Sequence, residues 1–215
     1  MSIFLDKKKG RSLTDVVYQK IRNDIINGRI QQGHKLSEIK LANDLSMSRT
    51  PVREALKQLE MEGLIDSIPN RGAIVVGVTD QDMKDLNTIR QTIEVVAMRL
   101  VVERISDTQI KELEDIFELM TFYTRKGDID KLIELNTSFH EMIYDTLNSP
   151  QLEMILRHSQ DLLLKTRYQS LNRDGRIHQT LEEHGRILEA IKTRNAEMAA
   201  DEIIKHNRQL EYIFN

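Results

Sequence analysis

The spacing of apolar residues changes twice along this chain, and these changes restrict the folds that it can adopt. Before Gly63, apolar residues recur every three or four positions, which is typical of amphipathic helices. The three segments with this pattern are 12–28, 37–45 and 48–62. Two short β-branched segments follow at 64–68 and 73–76, and the turn-forming residues between them predict a hairpin. From Thr79 onward we find only helical patterns.

These patterns predict a mainly α-helical chain with two domains. Three helices followed by a hairpin form a winged helix-turn-helix, which we place in residues 12–77, after a flexible tail over residues 1–11. Residues 78–215 are expected to form an antiparallel all-helical bundle of about six helices. These helices are predicted at 80–104, 107–125, 128–148, 151–173, 177–194 and 195–214.

The charges of the chain divide at the same boundary. The net charge is −3, but residues 1–77 contain 13 Lys and Arg against 9 Asp and Glu, whereas residues 78–215 contain 18 against 25. The basic front half indicates a polyanion as the partner of the first domain. The sequence contains no cysteine, which excludes disulfides and thiolate catalysis.

The sequence shows no sign of a membrane or secretory segment. No stretch has the ~20 consecutive apolar residues that a transmembrane helix needs. The first residues lack the apolar core and the cleavage site of a signal peptide. We therefore expect a cytoplasmic protein without a membrane partner.

The predicted helix 48–62 has the two faces that a DNA-reading helix needs. Val52, Ala55, Leu56 and Leu59 form one apolar face, and polar side chains lie opposite them. Guanidinium groups near the start of such a helix can donate to guanine, and hydroxyl groups can reach phosphates. A solvated basic face is the alternative, which the helix–turn–helix–hairpin order disfavours. The candidate DNA-binding residues are Ser48, Arg49, Thr50, Arg53 and Lys57.

The run Ser-Arg-Thr-Pro-Val-Arg-Glu-Ala-Leu at 48–56 is a long and specific motif. Together with shorter matches at 26–30, 41–42, 62–65 and 71–72, it resembles the winged helix of the GntR family of bacterial regulators. The resemblance implies that Arg49, Thr50 and Arg53 make the main DNA contacts. It places Gly72 at the tip of the wing, where Arg71 and Gly72 would lie beside the DNA backbone or the minor groove.

Three histidines and an asparagine interrupt the apolar faces of helices predicted in the second domain. Asn136 and His140 lie one turn apart on one helix, and His184 and His206 lie on the last two helices. Each could be a hydrogen-bonded core residue. However, burying an imidazole without a partner is costly, whereas a divalent metal ion binds neutral imidazole readily. Three imidazoles and one amide oxygen would leave coordination positions for water or a small carboxylate.

Two arginines on predicted inner faces are candidate anchors for such a carboxylate. Arg90 shares the inner face of helix 80–104 with Leu86 and Ala97, and Arg167 is a candidate of the same kind. The alternative for such an arginine is an ion pair with a carboxylate of the core.

The motifs of the second domain also resemble the FCD effector domain of the FadR branch of the GntR family. The matching runs lie at 90–94, 139–140, 183–184 and 187–191, together with His206. The resemblance implies a divalent metal ion, with zinc expected and nickel or manganese as alternatives, held by one Asp and three His. An organic acid would bind beside it. Because Asn136 stands in place of the Asp, we expect weaker metal binding, a changed metal preference, or a metal-free pocket that binds an anion.

These observations favour a transcriptional regulator that responds to a small carboxylate, in the family's usual role of repressor. Because one winged helix makes few specific contacts, we expect a homodimer on palindromic double-stranded DNA, with recognition helices one helical turn (~34–36 Å) apart. A metal-dependent hydrolase is one alternative, but the sequence lacks the known hydrolase motifs, so we expect no enzyme. A nonspecific DNA binder is another, which the negative net charge disfavours.

Overall fold

The computed structural model of this protein describes residues 12–68 and 72–209, so the predicted tail at 1–11 lies outside the described residues. The chain forms two compact units that divide between Thr79 and Asp80. We refer to them as the N-terminal unit and the C-terminal unit.

The described part of the N-terminal unit is a winged helix-turn-helix. It has three helices and a three-stranded antiparallel sheet with the strand order β1-β3-β2. Its elements are α1 (Leu13–Ile26), β1 (Lys35–Leu36), α2 (Glu38–Asp44), α3 (Arg49–Met61), β2 (Ile65–Ile68) and β3 (Gly72–Val75). The predicted hairpin is confirmed, since β2 pairs with β3. Strand β1 was not predicted, because two residues are too few to show a period.

Local signals in the sequence start the first two helices. The Ser12 side chain accepts from the backbone N–H of Asp15, and the Asp15 side chain accepts from the backbone N–H of Ser12. This reciprocal pair is a capping box, which satisfies backbone N–H groups at the start of α1. The side chain of Ser37 caps α2 by accepting from the backbone N–H of Lys40.

The core of the N-terminal unit determines which face of α3 is free. Val52, Ala55, Leu56 and Leu59 are each at most 6% exposed and pack with apolar residues of α1 and the sheet. The predicted apolar face of this helix is therefore confirmed. Because that face is buried, the opposite face of α3 is directed away from the core of its unit.

Gly72 is required by the backbone at the start of β3. Its φ is +89°, a conformation that side chains with a Cβ rarely adopt. A Cβ at this position would lie 2.2 Å from the carbonyl oxygen of Leu36 in β1. Glycine is thus needed for the close approach of the wing to β1, independently of any contact with DNA.

The described part of the C-terminal unit contains seven helices, one more than the six that the sequence predicted. They are α4 (Asp80–Arg104), α5 (Asp107–Lys126), α6 (Ile129–Asp145), α7 (Pro150–Leu162), α8 (Leu164–Leu171), α9 (Arg176–Lys192) and α10 (Ala196–Arg208). The expected helix 151–173 is interrupted at Leu163, where ψ is 2° instead of about −42°. The apolar period did not reveal this break because neither Gly nor Pro marks it. None of the described helices is both long and apolar enough to cross a membrane.

Helix α10 packs against α4 and α9, while α5 packs against α6 and α9. Their apolar side chains form one core, yet a group of polar and charged side chains is buried as deeply. Burying such groups is costly unless each one finds a partner. This group includes Arg90, Glu94, Asn136, His140, Arg167, Arg176, Glu183 and His184.

Candidate functional site

The first candidate site is the outward face of α3. Arg49, Thr50, Arg53 and Lys57 are all exposed on it, and Ser48 directly precedes the helix as its N-cap residue. The Ser48 side chain makes no capping hydrogen bond. Since a helix N-terminus also carries partial positive charge, this end of α3 is suited to bind phosphate and base edges. The roles that the sequence predicted for these residues remain predictions.

A carboxylate of α2 is paired with two of these residues. Glu38 accepts hydrogen bonds from Arg53 Nη2 at 3.0 Å and from Arg49 Nη2 at 3.2 Å. Sequence reasoning missed this residue, because the pairing depends on how α2 packs against α3. Further along α3, Lys57 pairs with Glu54 at 3.2 Å. The predicted wing residue Arg71 lies outside the described residues.

The second candidate site is a cluster of histidines inside the C-terminal unit. His140 from α6, His184 from α9 and His206 from α10 bring one ring nitrogen each to within 4.8 Å of one another. Asn136 lies in the same place, with its Nδ2 at 3.3 Å from His184 Nε2. The structure therefore brings together all four residues that the sequence predicted as metal ligands.

Hydrogen bonds behind the cluster determine which nitrogens face inward. His184 Nδ1 lies 2.8 Å from the backbone carbonyl of Thr180, and His206 Nδ1 lies 2.8 Å from a carboxylate oxygen of Glu183. Both oxygens can only accept, so Nδ1 carries the proton in each histidine. In the neutral rings Nε2 then carries the lone pair, which is the arrangement that metal-ligating histidines usually have. In His184 this lone pair accepts from Asn136 Nδ2 at 3.3 Å, so a metal ion there would replace that hydrogen bond.

Some buried atoms of this cluster have no hydrogen-bond partner among the described residues. These atoms are both ring nitrogens of His140 and the Oδ1 of Asn136. Burial, together with the nearby histidines, lowers the pKa of His140 well below its ordinary value. Burial likewise lowers the pKa of His184. The rings are therefore neutral at neutral pH, which is the form that donates to a metal ion. This donor set fits a divalent metal ion.

Next to the histidines lies a cavity that is lined by three buried arginines. Its lining residues are Arg90, Asn136, Arg167, Ser170, Leu171, Arg176, Thr180 and His206. Arg176 forms a double hydrogen bond with Glu183, at 2.7 and 2.8 Å. Although burial disfavours a charged Glu183, His206 and Arg176 lower its pKa to about 2.

The other two arginines differ in how they are compensated. Arg90 Nε donates to Glu94 at 3.0 Å, and Glu94 also accepts from Tyr144 and Asn207. Arg90 thus forms the ion pair with a core carboxylate that the sequence offered as the alternative. Its Nη2 is buried and has no hydrogen-bond partner among the residues that the structure describes.

Arg167 donates to the Thr137 hydroxyl at 3.0 Å, and among the described residues it forms no ion pair with a carboxylate. Burial, aided by the charge of Arg90, lowers the pKa of Arg167 to about 10. The guanidinium is still charged at neutral pH. Among the described residues, the buried charged side chains at the cavity are three guanidinium groups and two carboxylates, Glu94 and Glu183. These buried groups carry one positive charge in excess, which suits the cavity to an anion.

Sequence reasoning missed Arg176 and Glu183 as parts of this site. A signal was present, since the two residues lie seven positions apart and therefore share one face of α9 with His184. Thr180 contributes through its backbone carbonyl, which no side-chain pattern can reveal.

A winged helix whose third helix has an exposed basic face, followed along the chain by an all-helical unit, is typical of a class of bacterial transcription factors. The chain belongs to the GntR family of bacterial regulatory proteins: residues 13–75 match that family, and residues 85–209 match the FCD domain. Both parts of the resemblance seen in the sequence are thereby confirmed. The protein is a transcriptional regulator and not an enzyme.

Similar proteins support this assignment over nearly the full chain. The regulator YdhC of Bacillus subtilis is 30% identical over 198 residues, which cover 91% of this chain and 88% of YdhC. A gluconate operon transcriptional repressor of Bacillus licheniformis is 29% identical over 208 residues, covering 91% of this chain and 83% of that protein. The solved structure of McbR/YncC from Escherichia coli is 25% identical, with a TM-score of 0.76, and covers 95% of this chain and 98% of that one.

Proposed function

We propose that this chain is a repressor whose binding to an operator is controlled by a small carboxylate bound beside a divalent metal ion. The observation that carries this proposal is the buried cluster of three histidines next to a cavity with excess positive charge. Similar proteins named as gluconate operon repressors support the regulatory role.

His140, His184, His206 and Asn136 would hold the metal ion, with zinc expected and nickel or manganese as alternatives. Bound there, the ion would supply an electrophilic partner for a carboxylate oxygen of the effector. An amide oxygen from Asn136 contributes no charge to such a site, so the anionic effector would supply what the protein does not. This reasoning favours cooperative binding of metal ion and effector.

Arg90 and Arg167 would anchor the other end of the effector. Arg90 Nη2 is a buried donor that has no partner in the described part of the chain. Arg167 is a buried guanidinium that forms no ion pair among the described residues. A carboxylate in the cavity would satisfy both, and charge-assisted hydrogen bonds of this kind are stronger than neutral ones.

On the DNA side, Arg49 and Arg53 would contact base edges, while Ser48, Thr50 and Lys57 would bind phosphates. Arg71 and Gly72 would lie beside the backbone. A homodimer on a palindromic operator would supply the second set of contacts. Ile89 and Val96, each 51% exposed on α4, support an apolar dimer interface in the C-terminal unit.

The first test is the metal content of protein purified without a histidine tag or a chelator. We expect near-stoichiometric metal in the wild type and a loss in His184→Ala, measured by elemental analysis. The matched control is His178→Ala, since His178 lies on the same helix but is exposed. Metal absent from wild type even after soaking with zinc, nickel and manganese salts would contradict the metal proposal.

The second test addresses DNA and effector together. A DNA duplex that the wild type selects from a random pool defines the operator, and carboxylates that raise the melting temperature of the metal-loaded protein define the effector class. We expect such a carboxylate to change the affinity for the selected duplex, and this response to be lost in His206→Ala. If the wild type selects no consensus sequence, the protein binds DNA nonspecifically and the proposal is wrong.

A further inference from the structure

Glu38 occupies the two arginines on which base recognition by α3 would depend. Arg53 Nε lies 3.2 Å from both carboxylate oxygens, Arg53 Nη2 lies 3.0 Å from Oε2, and Arg49 Nη2 lies 3.2 Å from Oε2. One carboxylate therefore accepts hydrogen bonds from both guanidinium groups. Glu38 is also the first residue of α2, where a negative charge is favourable because of the helix dipole.

This arrangement is poorly explained as a stabilising contact. The side chains of Arg49 and Arg53 are 56% and 51% exposed, and that of Glu38 is 25% exposed. Ion pairs in such a position contribute little to stability, because water and salt screen them. The contact instead has two local effects: it restricts the orientations of both arginines, and it cancels part of their charge. The hydrogen bond with Arg53 lowers the pKa of Glu38 despite partial desolvation, so the carboxylate is charged at neutral pH.

Each arginine keeps free donors while it is bound to Glu38. A guanidinium group has five N–H donors, and the contacts with Glu38 use Nε and Nη2 of Arg53 and only Nη2 of Arg49. The remaining N–H groups are available for DNA. Unrestrained arginines would instead swing to phosphates, and phosphate contacts supply most of the affinity for DNA of any sequence.

We propose that Glu38 is a positioning residue that raises the specificity of DNA binding. It holds Arg49 and Arg53 in the orientation that faces base edges, and its charge weakens the attraction of α3 for phosphates. The proposal rests on the proposed function in one respect, namely that α3 reads DNA.

The test compares the affinities of Glu38→Gln and the wild type for two DNA duplexes, with both proteins as the 215-residue chain. One is the duplex that the wild type selects from a random pool, and the other has the same composition in scrambled order. For the variant we expect about fivefold tighter binding to the scrambled duplex near 0.15 M salt, as for one additional phosphate contact. The slope of log K against log salt should become steeper by about 0.9 on this duplex. Affinity for the selected duplex should rise less. The specificity ratio, which is the affinity for the selected duplex divided by that for the scrambled one, therefore falls.

Asp24→Asn is the matched control for the change in net charge. Asp24 also pairs with two cations, Lys20 at 3.2 Å and Arg29 at 3.1 Å, but neither of them lies on α3. We expect this variant to bind both duplexes almost as the wild type does. Fluorescence anisotropy measures the six affinities of the three proteins for the two duplexes, and thermal unfolding shows whether each variant is folded.

Three outcomes would overturn the proposal. An unchanged specificity ratio in Glu38→Gln would show that the residue does not position the arginines. An equal effect of Asp24→Asn would show that the loss of one negative charge anywhere on the N-terminal unit explains the result. Loss of preference at a single base pair, with no gain on scrambled DNA, would show that Glu38 itself contacts a base, since glutamate can accept from cytosine. A different result would show that the proposed function itself is wrong. If α3 does not read DNA, Arg53→Ala should bind the selected duplex as tightly as the wild type does.

Discussion

Charged side chains are held in opposite ways in the two units of this protein. On α3, Arg49 and Arg53 are about half exposed and share one carboxylate, Glu38, with which they form ion pairs across the surface. In the C-terminal unit, Arg90 and Glu94 are both 1% exposed and are enclosed by hydrogen-bonding neighbours. An exposed pair can exchange its partner for a phosphate at little cost, whereas a buried charge cannot lose its partner without a large penalty.

The comparison explains what each region can do. Exposed arginines with a replaceable partner suit a surface that must release and rebind a polyanion. Buried arginines with incomplete compensation suit a site that binds one small anion, because the anion supplies the missing charge.

Glu94→Gln should destabilise the protein by about 3–5 kcal/mol, because it leaves the buried Arg90 guanidinium without a counter-charge. Glutamine preserves the shape of the side chain, so a cavity would not explain the loss. Urea unfolding followed by circular dichroism measures it. The control, Glu197→Gln, removes the partner of the exposed Arg99 and should leave the unfolding midpoint nearly unchanged. If the two substitutions lowered the free energy of unfolding equally, the buried ion pair would be no more important for stability than the exposed one.

Arg53→Ala should weaken binding to the selected duplex by about tenfold to a hundredfold, because a base contact is lost, without changing the melting temperature. Anisotropy titration measures the binding. Arg157→Ala serves as the control, since Arg157 pairs with Asp145 in the C-terminal unit. Binding by Arg53→Ala that matches the wild type would show that this face of α3 is merely solvated.

Asn136→Asp should raise the affinity for zinc by about tenfold, because it adds a negatively charged ligand to three neutral imidazoles. Competition with a chromogenic chelator measures this affinity. Asn136→Leu, which removes the oxygen, is expected to bind zinc more weakly than the wild type. If the Asp and Leu variants bound zinc equally, position 136 would not contribute a ligand.

Lys57→Ala should have the smallest effect, a loss of a few-fold in affinity that is equal for selected and scrambled duplexes. A lysine that contacts only phosphate reduces the slope of log K against log salt by about 1 when it is removed. Titrations at several salt concentrations measure this slope, with Lys20→Ala on α1 as the control. A loss confined to the selected duplex would indicate that Lys57 contacts a base instead.

Much of the fold was predictable because periodicity is a local property. The capping box at Ser12, the apolar face of α3 and the hairpin of β2 and β3 all depend on residues a few positions apart. The break at Leu163 was not predictable, since no Gly or Pro accompanies it. The strand β1 was missed as well, because it exists only through its pairing with β3.

In the candidate sites too, local features were predictable from the sequence, whereas features that depend on packing were not. Polar residues on apolar helix faces, such as His140 and His184, can be recognised from the sequence, because a lone polar side chain in such a pattern is costly. Their convergence within 4.8 Å depends on how α6, α9 and α10 pack. The free Nε2 of His206 depends in addition on the position of Glu183, 23 residues away.

By itself, the sequence determined the order of the elements apart from β1 and the break between α7 and α8. It also determined the family, the basic face of α3 and the inward position of the histidines, because these follow from spacing along the chain. The tertiary structure alone decided that Glu38 meets Arg49 and Arg53, that Glu94 compensates Arg90, and that Arg167 forms no ion pair with a carboxylate of the described residues. The physical reason is that charge compensation depends on distances between helices, and these distances are set by the packing of the core.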